Sequence, residues 1–388
     1  MYLTHLICTG WAKECHTSVI AFDIAQFFPS LNHDFLSACL AKAGLNTNVL
    51  EFFRSYHSNG STTYAWNNFT SQKFATSIGV SQGSALSPIL SVIYLAPIIK
   101  TFKKRIKNLK KEIHTDILSF VDNGLLISQE KSYELSSAFL LSSYNMISKI
   151  FSETGLVLEH NKSEVFHFTW ACNPPNPSID LTLVGGPILH PKPIWRYLGF
   201  FFDRKLNFHQ HVHHYATKCL LTLSAMKMLG NSARGLLPTQ KRLLYRTCIL
   251  PIALYGFQLW FFKGAPTVKN ITELKKMQCR AALWITGAFH TFLSEGVEAI
   301  AGLVLINLHL QKLNGHHHLR YATIPPSHTI NTLLDKHQSR NQNLHKFALA
   351  NLTNKQRLKL KSCHESPSIS KSIFIFFSFS FLLINYVI

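Results

Sequence analysis

The strongest constraint on this chain is a tight turn. Residues 113–120 and 125–128 are β-prone and flank Val121-Asp122-Asn123-Gly124, which predicts an antiparallel hairpin with a carboxylate near its tip. A second β-prone run, residues 18–22, ends at another carboxylate, Asp23. Two such carboxylates could hold a hard cation such as Mg²⁺ only if the strands that carry them were neighbours in one sheet. Asp116 shares strand parity with Asp122 but lies about 20 Å away at ~3.3 Å per residue, so it is expected to be a strand-start residue that reaches no common ion.

Between these carboxylates lies Gly79-Val80-Ser81-Gln82-Gly83-Ser84-Ala85-Leu86-Ser87-Pro88. It reads as glycine and serine punctuation, with a helix starting near Leu86 and Pro88 in its first turn. Its two glycines, Gly79 and Gly83, are expected to let the backbone come close to whatever it faces. Upstream, Ser30 is the expected N-cap of a helix through about Lys42, stopped by Gly44. Residues 62–66 and 73–77 predict a hairpin around Asn67-Asn68. A long helix is expected over 133–153, then short strands at 165–168, 181–184 and 196–202. After Asp203 the pattern becomes helical, over 206–231, 239–260 and 268–285. Beyond Pro325-Pro326 the chain turns polar and reads as poorly packed. Residues 373–388 are apolar and Phe-rich but shorter than the ~20 residues of a spanning helix. They read as an accidental extension, with a tail anchor as the alternative.

Charge narrows the class of partner. Thirty-nine Lys and Arg against nineteen Asp and Glu leave a formal +20, which suits nucleic acid or an anionic membrane surface. The densest basic run, from Lys100 to Lys111, is either a solvated helix end or a phosphate-tracking patch. Eight scattered cysteines with no C-x-x-C pair argue for reduced thiols, hence a nuclear or cytoplasmic protein that is not secreted. The histidine groups at 209–214 and 316–318 have no cysteine at ligand spacing and read as polar helix faces rather than metal sites.

Taken in order, the stretches around Asp23 (Phe22-Asp23-Ile24-Ala25-Gln26-Phe27-Phe28-Pro29-Ser30-Leu31), at 79–88 and at Ser119-Phe120-Val121-Asp122-Asn123 resemble motifs A, B and C of reverse transcriptases. Asn161-Lys162-Ser163-Glu164 resembles motif D, and Tyr197-Leu198-Gly199-Phe200 resembles motif E, the primer grip. Residues 243–260 are most similar to the non-LTR, LINE-like branch. The resemblance implies an α+β fold: a palm of antiparallel sheet with helices on one face, then an all-helical thumb and connector. The corresponding organisation is a lead-in at 1–17, a palm at 18–203, a thumb and connector at 204–325 and a tail at 326–388.

The implied reaction is RNA-directed DNA synthesis, the addition of dNTPs to a DNA primer on an RNA template. It uses two Mg²⁺ ions about 3.5–4 Å apart, with Mn²⁺ as a substitute, held by Asp23 and Asp122. Lys162 is either a proton donor to the leaving pyrophosphate or surface decoration. Phe28 is implied to lie beneath the sugar and select deoxynucleotides, with Phe27 in the core. Gln82, Gly83 and Asn123 would neighbour template or nucleotide, and Leu198 and Gly199 the primer. No stable membrane partner is expected.

Two departures from the family pattern matter. Asn123 stands where the family has a second Asp, which costs a metal ligand or only alters its surroundings. Twenty-two residues precede Asp23, where the family has a basic fingers region, so the fingers are expected to be missing. A chain of this design is expected to polymerise weakly or not at all when alone. The alternatives are a catalytically dead nucleic-acid-binding remnant and a non-functional reading frame derived from an element.

Overall fold

The computed structural model describes residues 2–322, apart from 77, 110–114, 170–179, 184, 230–234, 263, 264 and 266. The polar tail and Phe-rich end expected from the sequence lie outside the described residues. The chain divides into two units. One runs from Gly10 to Lys192; the other joins the chain from Pro193 onward to the first residues, up to Thr9. Helix α1 (Tyr2–Ala12) straddles that division.

In the Gly10–Lys192 unit, β1 (His16–Asp23) leads into α2 (His33–Lys42) and α3 (Thr47–His57). Four short strands follow: β2 (Gly60–Thr62), β3 (Ala65–Trp66), β4 (Phe69–Thr70) and β5 (Phe74–Thr76). Next come α4 (Ser87–Leu109), β6 (Thr115–Phe120), β7 (Asn123–Glu130), α5 (Tyr133–Glu153), β8 (Glu164–Phe168), β9 (Leu181–Thr182) and β10 (Ile188–Leu189). Strands pair in the order β6-β7-β1-β8, with every pairing antiparallel. Ile20 and Phe22, two apart on β1 and so on one face, join a core with Leu140, Tyr144, Ile147 and Phe151 of α5. Phe102 of α4 and Leu36 of α2 extend the same core.

Several local expectations hold. Helix α5 spans 133–153, capped by Ser132 Oγ accepting from the Leu135 N–H. The 60–76 segment is a nested hairpin, β2 on β5 and β3 on β4, with Asn67 at φ +52° in its tip. Asp116 pairs with Lys103 at 3.0 Å, and Arg105 with Glu153 at 3.2 Å, so part of the basic run is committed to ion pairs.

Other expectations are corrected. The cap of α2 is Asn32, whose Oδ1 accepts from the Phe35 N–H at 2.9 Å. Ser30 ends a 3₁₀ turn that Pro29 favours, Phe28–Ser30, and donates its N–H back to Gln26, so its backbone is not free to cap. The expected strand 196–202 is a hairpin, β11 (Ile194–Tyr197) on β12 (Phe200–Asp203). It folds back because Leu198 and Gly199 both take positive φ, +48° and +80°, the requirement of a two-residue hairpin turn.

The second unit continues with α6 (His209–Met226), α7 (Pro238–Leu244), a π-helical turn (Tyr245–Ile249), α8 (Leu250–Ala253), α9 (Val268–Thr286), α10 (Ser294–Ile300) and α11 (Ile306–Ala322). The continuous helix expected over 239–260 is therefore broken. Pro251 brings no N–H and its ring collides with the carbonyl four residues earlier, and the wider π turn relieves that collision. The motif E hairpin, expected with the preceding sheet, belongs to this helical unit. Phe200 stacks on Tyr255 and His211, at 4.8 and 5.5 Å between centroids, and Phe202 packs on Phe208. His211 is buried, not part of a polar face; its Nε2 meets the Tyr255 carbonyl at 2.8 Å. No described helix is long and apolar enough to cross a membrane.

Candidate active site

Asp23 ends β1 and stands directly opposite Asn123, the first residue of β7. Asp122 occupies the two-residue turn just before it, and its carbonyl accepts the Ile24 N–H at 3.1 Å. The two aspartates thus meet at one end of the sheet. Val121, the other turn residue, sits at φ +58°, a strained conformation for a β-branched side chain. The strain persists because β6 and β7 pair right up to the turn, Phe120 opposite Asn123. Next in β7, Gly124 faces Phe22. A Cβ there would lie 2.0 Å from the Phe22 ring, so only glycine lets that ring cross the sheet to reach Tyr144 and Phe151.

Lys162 comes to the same place from another direction. Its Nζ lies 3.0 Å from Asp23 Oδ2, and this hydrogen bond, with the charges of Asp23, Glu159 and Asp122, raises its pKa above the ordinary lysine value. The backbone around it is stitched to the end of β1: Ala25 N–H to Val157 O at 2.8 Å, Glu159 N–H to Asp23 O at 2.9 Å. Tyr144 of α5 braces it from below. Its hydroxyl meets His160 Nδ1 at 2.8 Å and Ser163 Oγ at 2.9 Å, on either side of Lys162. Neither Tyr144 nor Gly124 was singled out from the sequence. Tyr144 reads as one more apolar position on a helix, and Gly124 as turn punctuation.

Asp23 Oδ1 is buried and accepts no hydrogen bond among the described residues, an uncompensated oxygen next to a second carboxylate. Asp122 Oδ1 accepts from Asn123 Nδ2 at 2.8 Å. Two carboxylates, one with an orphaned oxygen and one hydrogen-bonded by a neutral amide, fit a divalent cation that would displace or share with Lys162; no group of three His, Cys, Asp or Glu side chains surrounds it among the described residues.

The 79–88 loop docks on the segment after Asp23 through backbone. Val80 N–H donates to Phe28 O and Gly79 N–H to Leu31 O, both at 2.8 Å, and His33 Nε2 meets Gly79 O at 2.6 Å. Gly79, at φ +90°, presses against the Pro29 backbone: a Cβ would lie 2.7 Å from its carbonyl oxygen. Its glycine is therefore required by the Pro29 backbone of this chain. Gly83, at φ +93°, faces open space, and Gln82 is exposed beside it. Phe27 is buried in the core, and Phe28 is half-buried against it.

In the helical unit, the Leu198-Gly199 turn is held by two phenols. Tyr255 Oη donates to Leu198 O at 3.0 Å and Tyr215 Oη to Gly199 O at 2.8 Å. These tyrosines were invisible to sequence reasoning, since they come from two separate elements.

A hairpin-borne aspartate beside a strand-end aspartate, with a glycine-serine loop docked alongside, is the arrangement that the resemblance to motifs A, B and C implies. The family described as reverse transcriptase (RNA-dependent DNA polymerase) matches residues 5–202, and the chain belongs to it. A probable RNA-directed DNA polymerase from transposon BS of Drosophila melanogaster is 23% identical over 285 residues, 73% of this chain. The chain spans 30% of that protein's length. The Pol polyprotein of the type-2 retrotransposable element R2DM, also from Drosophila melanogaster, is 24% identical over 119 residues, 31% of this chain and 11% of its own. Apo telomerase from Candida tropicalis overlays with a TM-score of 0.41 at 10% identity, over 75% of this chain and 46% of its own. The kinship is with the reverse transcriptases of LINE-like elements, as the motifs imply.

Proposed function

We propose that this chain carries the polymerase core of a LINE-like reverse transcriptase, adding dNTPs to a DNA primer paired with RNA. In this reading the Gly10–Lys192 unit is the palm, and the helical unit from Pro193 is the thumb and connector, with the Leu198-Gly199 turn as primer grip. The observation that carries it is the meeting of Asp23 and Asp122 at one end of the sheet, with Asp23 Oδ1 left unpartnered among the described residues.

Asp23 and Asp122 would hold Mg²⁺, which supplies activation of the primer hydroxyl and charge neutralisation on the leaving pyrophosphate. Lys162, kept protonated by Asp23, is the proton donor that the site offers to the leaving group. Phe28 lies where the chain leaves Asp23, suited to sense the sugar, and Gln82 and Gly83 are exposed for contact with template or nucleotide. Asn123 favours a slow enzyme: it adds no charge and its amide already occupies an oxygen of Asp122.

The test is primer extension on an RNA template with Mg²⁺ and then Mn²⁺, comparing the chain with Asp23→Asn and Asp122→Asn. Extension that either substitution lowers by roughly a hundredfold or more is expected. Extension indifferent to both would reject the site. Asn123 also supports a second reading, a chain that grips nucleic acid without polymerising. Salt-dependent binding with no extension under either ion would select it.

A further inference from the structure

The helical unit holds a cavity of about 1140 Å³ far richer in cations than its surroundings require. Lys275 and Arg280 are exposed along one side of α9, and Lys241 of α7 closes the interior. Lys241 is 6% exposed. Its ammonium has one distant acceptor, the Trp284 carbonyl at 3.4 Å, and lies 5.8 Å from the Trp284 ring centroid. Among the described residues no carboxylate lies within ion-pair distance of Lys241, Lys275 or Arg280. An ammonium carries three donors, and burying one without an anion is costly. Asn307, also on the wall, has a buried side-chain oxygen with no partner among the described residues; turning its amide over would aim N–H groups at an anion instead.

Two acidic groups, Glu295 and Glu298, line the same cavity against five Lys and Arg, and one of the two is weakened by its environment. Glu298 is buried in the same wall, where desolvation raises its pKa and favours the neutral acid. The net field of the cavity is positive.

We propose that this cavity is a second nucleic-acid site, taking the phosphates of an unpaired strand, with Lys241 at its base and Lys275 and Arg280 along its wall. Its volume slightly exceeds the roughly 300–1,000 Å³ of pockets that enclose small ligands, enough for one or two splayed nucleotides. Lys241 is buried while Lys275 and Arg280 are exposed, so a strand with splayed nucleotides can reach all three, whereas a rigid duplex on the surface is expected to meet chiefly the exposed pair. The choice of nucleic acid among polyanions rests on the polymerase reading, whereas the cavity and its cations do not.

The experiment is fluorescence anisotropy of labelled single-stranded RNA, single-stranded DNA and duplex on the full chain across a salt series. Variants are Lys275→Glu with Arg280→Glu, Lys241→Met alone, and a control of equal charge change in the other unit, Lys42→Glu with Lys149→Glu. The α9 pair is exposed and should fold; circular dichroism checks this. Single-strand affinity should fall at least roughly tenfold in the α9 pair, with a salt slope shallower by about 1–2, and less in the control. Lys241→Met should weaken single strands more than duplex. Equal losses in the control, or equal losses for duplex and single strand, would overturn the proposal, as would tighter capture of polyglutamate than of RNA. Primer extension by Asp23→Asn and Asp122→Asn is read separately from single-strand binding by the α9 pair, so a failed polymerase reading and a failed second site give different results.

Discussion

Phe22 and Gly124 face each other across β1 and β7, and the ring of one fills the space that a side chain on the other would need. Each lies close to a proposed metal ligand: Phe22 immediately precedes Asp23, and Gly124 lies two residues after Asp122. The pairing therefore couples core packing to the geometry of the carboxylates.

Gly124→Ala should destabilise the protein by about 1–3 kcal/mol, the usual cost of forcing atoms into a packed core. Urea denaturation measures it. The same variant should lose primer extension more than it loses nucleic-acid binding, because the displaced ring belongs to the residue next to Asp23 and is packed in the core.

Asn123→Asp replaces the donor to Asp122 with a third negative charge. Without divalent ions the variant should melt below the parent chain, since three carboxylates would crowd one strand end. With rising MgCl₂ its melting temperature should climb further than the parent's, and its extension rate should exceed the parent's. Equal ion-dependent shifts in a thermal-denaturation series would count against a metal at this position.

Phe28→Val should relax sugar selection, with ribonucleotide use rising roughly 10–200-fold relative to deoxynucleotides, the range for removing steric bulk from a pocket. Competitive single-nucleotide extension reads it directly. Because Phe28 is half-buried against Phe27 at 5.4 Å, a modest loss of stability should accompany the change.

Burial lowers the His211 pKa below its ordinary value, an effect that the His214 charge reinforces and the Tyr255 carbonyl partly opposes. The folded state thus binds the proton less readily than the unfolded chain. The neutral ring's contribution is fully present above the unfolded value, ~6.5, and is lost as pH falls below it toward the folded value. His211→Gln should flatten the stability profile in that acid window while costing stability at pH ~8. Parallel profiles of parent and variant in pH-dependent urea melts would show that another group titrates.

Much of the site was legible before any coordinates. The hairpin that carries Asp122, the span of α5, the Asn67-Asn68 tip and the start of α4 near Pro88 all follow from backbone chemistry within a few residues: φ preference, capping, side-chain period. The turn itself is tighter than the expected Val121-Asp122-Asn123-Gly124: it falls on Val121-Asp122, against the φ preference of valine, and Asn123 and Gly124 already belong to β7. Such effects act locally, and local sequence carries them. What the tertiary structure alone decided lies between residues far apart. Lys162 and Asp23 are separated by 139 positions, yet their contact raises the lysine's pKa. Gly79 owes its glycine to Pro29, and Gly124 to a ring across the sheet. The Leu198-Gly199 turn sits in the helical unit because Tyr215 and Tyr255 hydrogen-bond its carbonyls. These contacts depend on which surfaces meet when the chain collapses. Short-range preference does not encode that, because burial and hydrogen-bond partners belong to the packed whole.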